Sequence, residues 1–148
     1  MTWDHQKINA GFSKKSPWLP IKEKQKNRSV SLQEDEPNSI LNFYKQFIFF
    51  RKSDPALLAG KHNFLNKHED LLVFNREIQD KKTLCIFNLS ENAYLIDKGN
   101  LNVDSNISSN IHIKNDQIEF SRFGFIIISN IRKDIKGLDK VLEFKKIL

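Results

Sequence analysis

The chain has 148 residues, 12 of them Phe and 2 Trp, with a hydrophobic share of 39%; this is material for one packed domain, or a small domain with part of another, and excludes wholesale disorder. No run approaches the roughly 18 apolar residues of a membrane span, and Met1-Thr2-Trp3-Asp4-His5 lacks the charged start and apolar centre of a signal peptide, so the expectation is a cytoplasmic protein with no membrane partner. The net charge of +6 raises nucleic acid as a partner. However, Lys, Asn, Ile and Phe are abundant together, as a codon bias towards A and T would make them, and the favoured reading is a solvated lysine-rich surface.

Taken in chain order, residues 1–36 are turn-rich and poorly periodic. Gly11, Pro17 and Pro20 amid polar residues argue against a regular element. Trp3, Phe12, Trp18 and Leu19 are nonetheless costly to leave in water, which predicts an ordered loop that packs on something. The basic excess, Lys14-Lys15 and then Lys22, Lys24, Lys26 and Arg28, falls in the same stretch.

Residues 37–54 carry the clearest helix signal. Ser39 is placed as N-cap, with Asp35 and Glu36 where the helix dipole favours negative charge. Ile40, Leu41, Tyr44, Phe47, Ile48 and Phe50 recur at helical spacing, and Arg51 and Lys52 suit the last turn. Asp54-Pro55 stops the helix, because the residue before proline is pushed out of helical geometry.

From about residue 61 the period shifts to two. Leu71–Phe74 and Leu84–Phe87, joined by Gln79-Asp80-Lys81-Lys82, predict a hairpin. Further short runs follow at Tyr94–Ile96, Leu101–Val103, Ile111–Ile113, Ile118–Phe120 and Phe125–Ile128. Many short strands divided by Asn, Ser, Asp and Gly predict an antiparallel sandwich or barrel-like sheet. Beyond Asn130 the lysine-rich tail is unassigned, with at most a weak helical pattern. The single Cys85 lies in an apolar run, which predicts a buried structural thiol and excludes an internal disulfide. His5, His62, His68 and His112 show no metal-ligand spacing and there is no glycine-rich phosphate loop, so no metal and no cofactor is expected.

Several of these stretches, in order, carry a resemblance. Met1-Thr2-Trp3-Asp4, Asn9-Ala10-Gly11-Phe12-Ser13 and Pro17-Trp18-Leu19-Pro20 resemble the M-Q-W-D, A-G-F-S and P-W-L-P series of glycoside hydrolase family 13, above all its α-glucosidases and oligo-1,6-glucosidases. Pro37, Ser39, Leu41-Asn42-Phe43-Tyr44, Ile48, Arg51-Lys52 and Pro55-Ala56-Leu57 are similar to that family's P-x-S-x-L-N-F-Y helix, and Leu84–Ser90 to a strand that follows it. The resemblance covers roughly residues 1–128, with Thr2 where the family has glutamine; the stretch after Ser129 has no counterpart and reads as a frame-shifted or decayed end.

The resemblance implies a mixed fold: the final loop and helix of a (β/α)8 barrel followed by an antiparallel all-β C-terminal sandwich domain. Residues 1–58 become a barrel remnant, 61–129 the β-domain, and 130–148 the unassigned tail. The family's catalytic carboxylates lie on earlier strands, so the resemblance implies a chain that is inactive alone. A retaining glycosidase needs two carboxyl groups about 5–5.5 Å apart, and no motif places a pair here. Asp4 reads as a loop-ordering residue, Asp35-Glu36 as a helix start, and Asp70 and Asp80 as turn residues.

No catalytic residue is assigned. Trp3 and Trp18 are the candidates for stacking on sugar rings, against the plainer role of anchoring the loop to a barrel rim. The expected partners are the missing barrel fragment, an α-glucoside oligosaccharide once that fragment is supplied, and a second copy through the exposed helix face. The alternatives are a subunit completing a split α-glucosidase and a free-standing carbohydrate- or nucleic-acid-binding module.

Overall fold

In the computed structural model, which describes residues 1–65, 68–99, 101–104, 106–129, 131 and 144–147, the opening segment satisfies its backbone by closing on itself. Trp3 N–H donates to Ala10 O at 2.9 Å, Val30 N–H to Thr2 O at 3.1 Å and Ser31 N–H to Trp3 O at 2.9 Å. A 3-10 turn spans Ile8–Gly11. Asn9 sits there at φ 52°, a conformation asparagine tolerates, and its Nδ2 donates to Ser13 O and Lys15 O, both at 3.0 Å. Two short helices follow, α1 (Glu23–Lys26) and α2 (Val30–Asp35). The turn-rich composition had predicted no regular element before residue 37. One helix has four residues and the other six, too short to display an apolar period, and α1 is started by side-chain chemistry: Gln25 Oε1 accepts from Lys22 N–H at 2.8 Å.

The helix expected next is α3 (Ile40–Ser53). Ser39 caps it as predicted, its Oγ accepting from Asn42 N–H at 3.1 Å and donating to Gln33 O at 2.6 Å. Asn42 Nδ2 donates to the carbonyls of Gln33, Glu34 and Glu36, groups that the end of α2 leaves without helical partners. The chain divides between Phe49 and Phe50, inside α3, into two compact units.

In the second unit α3 stops at Asp54, and a five-residue helix α4 (Pro55–Ala59), which periodicity did not reveal, starts there with proline at its first position. Among the described residues there follows one antiparallel sheet of seven strands: β1 (Lys61–Phe64), β2 (Leu71–Ile78), β3 (Lys81–Asn88), β4 (Ala93–Asp97), β5 (Asn106–Lys114), β6 (Gln117–Ile128) and β7 (Lys145–Ile147). Their order is β1-β2-β3-β6-β4-β7, with β5 on the other side of β6. The β2–β3 turn is only Gln79-Asp80, with Gln79 at φ 53° and Lys81 and Lys82 already in the strand.

β6 is the organising strand. Its first residues pair with β4 (Tyr94↔Phe120, Ile96↔Ile118) and its last with β3 (Leu84↔Ile128, Phe87↔Phe125), while β5 runs beside both stretches. The change of partner falls at Phe123, whose φ is 53°, opposite a bulge between Ser109 and Ile111. One core therefore gathers inward side chains from both halves: Leu71 and Val73 of β2, Leu84 and Ile86 of β3, Tyr94 and Ile96 of β4, and four residues of β6. Alternation along β2 is what put Leu71, Val73 and Asn75 on the buried side.

Two sequence expectations change here. Leu101–Val103 is not a strand, although Leu101 is buried in the core. In the tail, residues 132–143 lie outside those described, and Lys145–Ile147 form a strand rather than a helix. Among the described residues no helix is long and apolar enough to cross a membrane.

Candidate functional site

Pro17 and Pro20 bracket Trp18-Leu19 and, lacking amide hydrogens, keep this stretch out of regular ladders. Trp18 is left 91% exposed, at the edge of a cleft of about 520 Å³ lined by Met1, Phe12, Leu19, Ile21 and Arg28 among others. The lining is mostly apolar with one guanidinium, whose Nε donates to Lys24 O at 3.0 Å. Such a surface can stack or pack, but it offers no carboxylate. Trp3, the other tryptophan candidate, is 51% exposed and does not line this cleft. The cleft that Trp18 borders is thus not shared by Trp3. Asp4 behaves as a loop organiser: Gln6 N–H donates to it at 3.0 Å, Lys7 Nζ lies 3.4 Å away, and the Gln6 hydrogen bond holds its carboxyl below the ordinary value.

Two carboxylates of the second unit, Asp54 and Asp70, are likewise committed to structure. Asp54 is buried, with Oδ1 accepting from Ala56 N–H (2.8 Å) and Leu57 N–H (3.1 Å), and Oδ2 from Thr83 and Ser129 hydroxyls, both at 2.5 Å. Burial alone pushes its pKa up; the four donors, Ser129 first, outweigh burial and hold it below the ordinary value. One side chain so caps α4 and ties it to β3 and to the residue after β6. The sequence signals only the helix stop at Asp54-Pro55; Thr83 and Ser129, 29 and 75 positions away, leave no local trace.

Asp70 plays a similar part beside the β2–β3 pair. Tyr94 Oη and Asn92 Nδ2 donate to its Oδ2. The tyrosine hydrogen bond chiefly lowers the Asp70 pKa and raises that of Tyr94. Cys85 is buried, and desolvation, aided by the Asp54 charge, pushes its thiol up to about 12, as suits a structural rather than nucleophilic sulfur. No group of three or more His, Cys, Asp or Glu that could hold a metal ion exists among the described residues.

Comparison with known proteins matches residues 1–60 to the family described as "Alpha amylase, catalytic domain"; the match ends just before β1. The chain is 40% identical over 93 residues to the "Probable alpha-glucosidase" of Rhizobium meliloti, covering 63% of this chain and 17% of that protein. It is 34% identical over 99 residues to the oligo-1,6-glucosidase of Heyndrickxia coagulans, covering 66% and 18% respectively. Among solved structures, the isomaltulose synthase of Erwinia rhapontici NX5 superposes with a TM-score of 0.68 at 25% identity, over 86% of this chain and 24% of that one. The chain therefore spans under a fifth of the length of these curated relatives. In sequence and fold the chain is thus similar to a part of the α-glucosidase-like enzymes of the α-amylase superfamily, its residues 1–60 matching the family's catalytic domain.

Proposed function

We propose that this chain is the C-terminal part of an α-glucosidase-like enzyme, serving hydrolysis of α-glucosidic bonds in oligosaccharides only when joined to the rest of its barrel. The observation that carries this reading is the bare apolar surface of the first unit. Trp18, Leu19, Ile40, Tyr44 and Phe49 are exposed, all within the residues that match the catalytic-domain family. Each such side chain gains about 1.5–3 kcal/mol on full burial, so the surface suits a protein partner better than water. The partner is the remaining barrel, held covalently or as a separate chain that completes a split enzyme. Trp18 belongs to the packing surface in this reading, and a sugar meets it only in the completed enzyme.

Asp54 accepts from four structural donors and Asp70 from two, which suits them to holding the fold rather than to a nucleophile and acid/base pair. The purified chain is expected not to cleave a nitrophenyl α-glucoside, maltose or isomaltose. Mixed with an oligo-1,6-glucosidase truncated before the matched segment, it should form a complex and restore turnover. Activity of the chain alone, abolished by changing one of its own Asp or Glu residues, would overturn the proposal. Titration with glucans and RNA tests the binding-module alternative, and neither is expected to bind the chain alone.

A further inference from the structure

The motifs of the family leave the last residues of the chain without a role, and the structure gives them one. β4 reads Ala93-Tyr94-Leu95-Ile96-Asp97 and pairs through Tyr94–Asp97 with β6 on one side. On its other side a bare edge would present unpaired N–H and C=O groups along an apolar, proline-free segment, the kind of template that recruits a second chain. That edge is occupied by β7, in the register Ala93↔Ile147, Tyr94↔Lys146 and Leu95↔Lys145.

Just before β7, Phe144 packs against the core, with its ring 6.4 Å from that of Phe120. β7 itself has three residues, all exposed, two of them lysines. Short length and lysine charge are the features that make an edge strand a poor template. The order apolar edge, anchored aromatic, short cationic strand has the composition of a stopper.

We infer that the outer edge of β4 is a strand-acceptor site and that residues 144–147 are its built-in occupant, a cap that keeps two copies of this chain from pairing along that edge. Phe144 fastens the cap, the backbone of Lys145–Ile147 fills the ladder, and the lysine charges repel the next chain. The inference stands whether or not the chain completes a glycosidase.

Two experiments on the full-length chain test it. Ala93 and Ile147 are direct antiparallel partners, whose Cβ atoms lie about 4.5–5.5 Å apart, within adjustment of a disulfide. The Ala93→Cys/Ile147→Cys double variant should oxidise at low concentration to an intrachain disulfide, seen as a faster monomer band on a non-reducing gel. Buried Cys85 will not compete. A cross-linked dimer in place of that monomer would put the strand on another copy, and no cross-link would remove it from β4; either overturns the cap.

The second variant is Lys145→Pro, with Lys145→Ala as control. Lys145 lies opposite Leu95, and since Tyr94 is taken up with Phe120 of β6, it is at Leu95 that β4 bonds its outer partner, so proline at 145 removes a ladder donor. Both keep α3, so any difference in association reads the β4 edge alone. Size-exclusion chromatography with light scattering should show at least a several-fold rise in dimer and larger species for Lys145→Pro only. A distribution equal to that of the control would overturn the capping role.

Discussion

Asp54 shows how one side chain can hold two distant parts of a sheet unit, and its loss should be felt as stability. Asp54→Asn keeps the shape but replaces an acceptor oxygen by a donor that faces donors. Hydrogen bonds to charged groups contribute roughly 1.5–3 kcal/mol each, so chemical denaturation should show a loss of about 2–3 kcal/mol. The pH dependence has a definite sign. The folded pKa lies below the ordinary value of 3.8, so the contribution is present above that value and fades as pH falls through the depressed one. The parent should therefore lose stability more steeply than Asp54→Asn below about pH 4; parallel acid unfolding curves would remove the charge from the account. Of this residue the sequence shows the helix stop alone. Asp4 was more legible, because its donors, Gln6 and Lys7, are local.

At the level of elements, what could be read was what is long or locally coded. α3 follows from a stripe over 14 residues with a serine cap, and the β2–β3 hairpin from two apolar runs with a polar turn. α1, α2 and α4 are too short for any period, and β1 (Lys-His-Asn-Phe) is exposed throughout, so no apolar alternation announced it. Leu101 and Val103 mislead in the opposite way, since their burial mimics a strand where only a loop plugs the core.

The stripe on α3 carries a prediction. Ile40 is 71%, Tyr44 60% and Phe49 75% exposed, and exposed apolar patches promote association. Ile40→Lys/Tyr44→Lys should reduce concentration-dependent dimers in sedimentation, more than Phe47→Asp, because Phe47 is already half-buried beside Phe43. In β6, Gly124 follows Phe123, where the partner changes. A Cβ there would lie 2.4 Å from Asn110 O and 2.9 Å from Ser121 O, both backbone atoms. Gly124→Ala is expected to lower stability by about 1–3 kcal/mol, measurable as a drop in melting temperature.

For the whole molecule, the ordered series of motifs pointed to the family and to a mixed fold. Trp3 and Trp18 stand out in the sequence as aromatic candidates, but nothing in their spacing says that Trp18 borders the cleft of about 520 Å³ while Trp3 is not in its lining. Limited proteolysis addresses the organisation into two units. The first cuts are expected at exposed Lys14 and Lys15 and between Lys22 and Arg28, leaving a resistant C-terminal piece; early digestion of the sheet would contradict it. The split role of β6 also governs the order of assembly in time. The β2–β3 hairpin can close once β3 has left the ribosome, but four of the twelve clustered core residues belong to β6. Until residue 128 has emerged, β3 and β4 lack the strand that both pair with. Non-local pairing of this kind slows folding, so a nascent chain stalled before Gln117 holds its apolar strands open, a target for chaperone or protease, and folds only when its penultimate strand arrives.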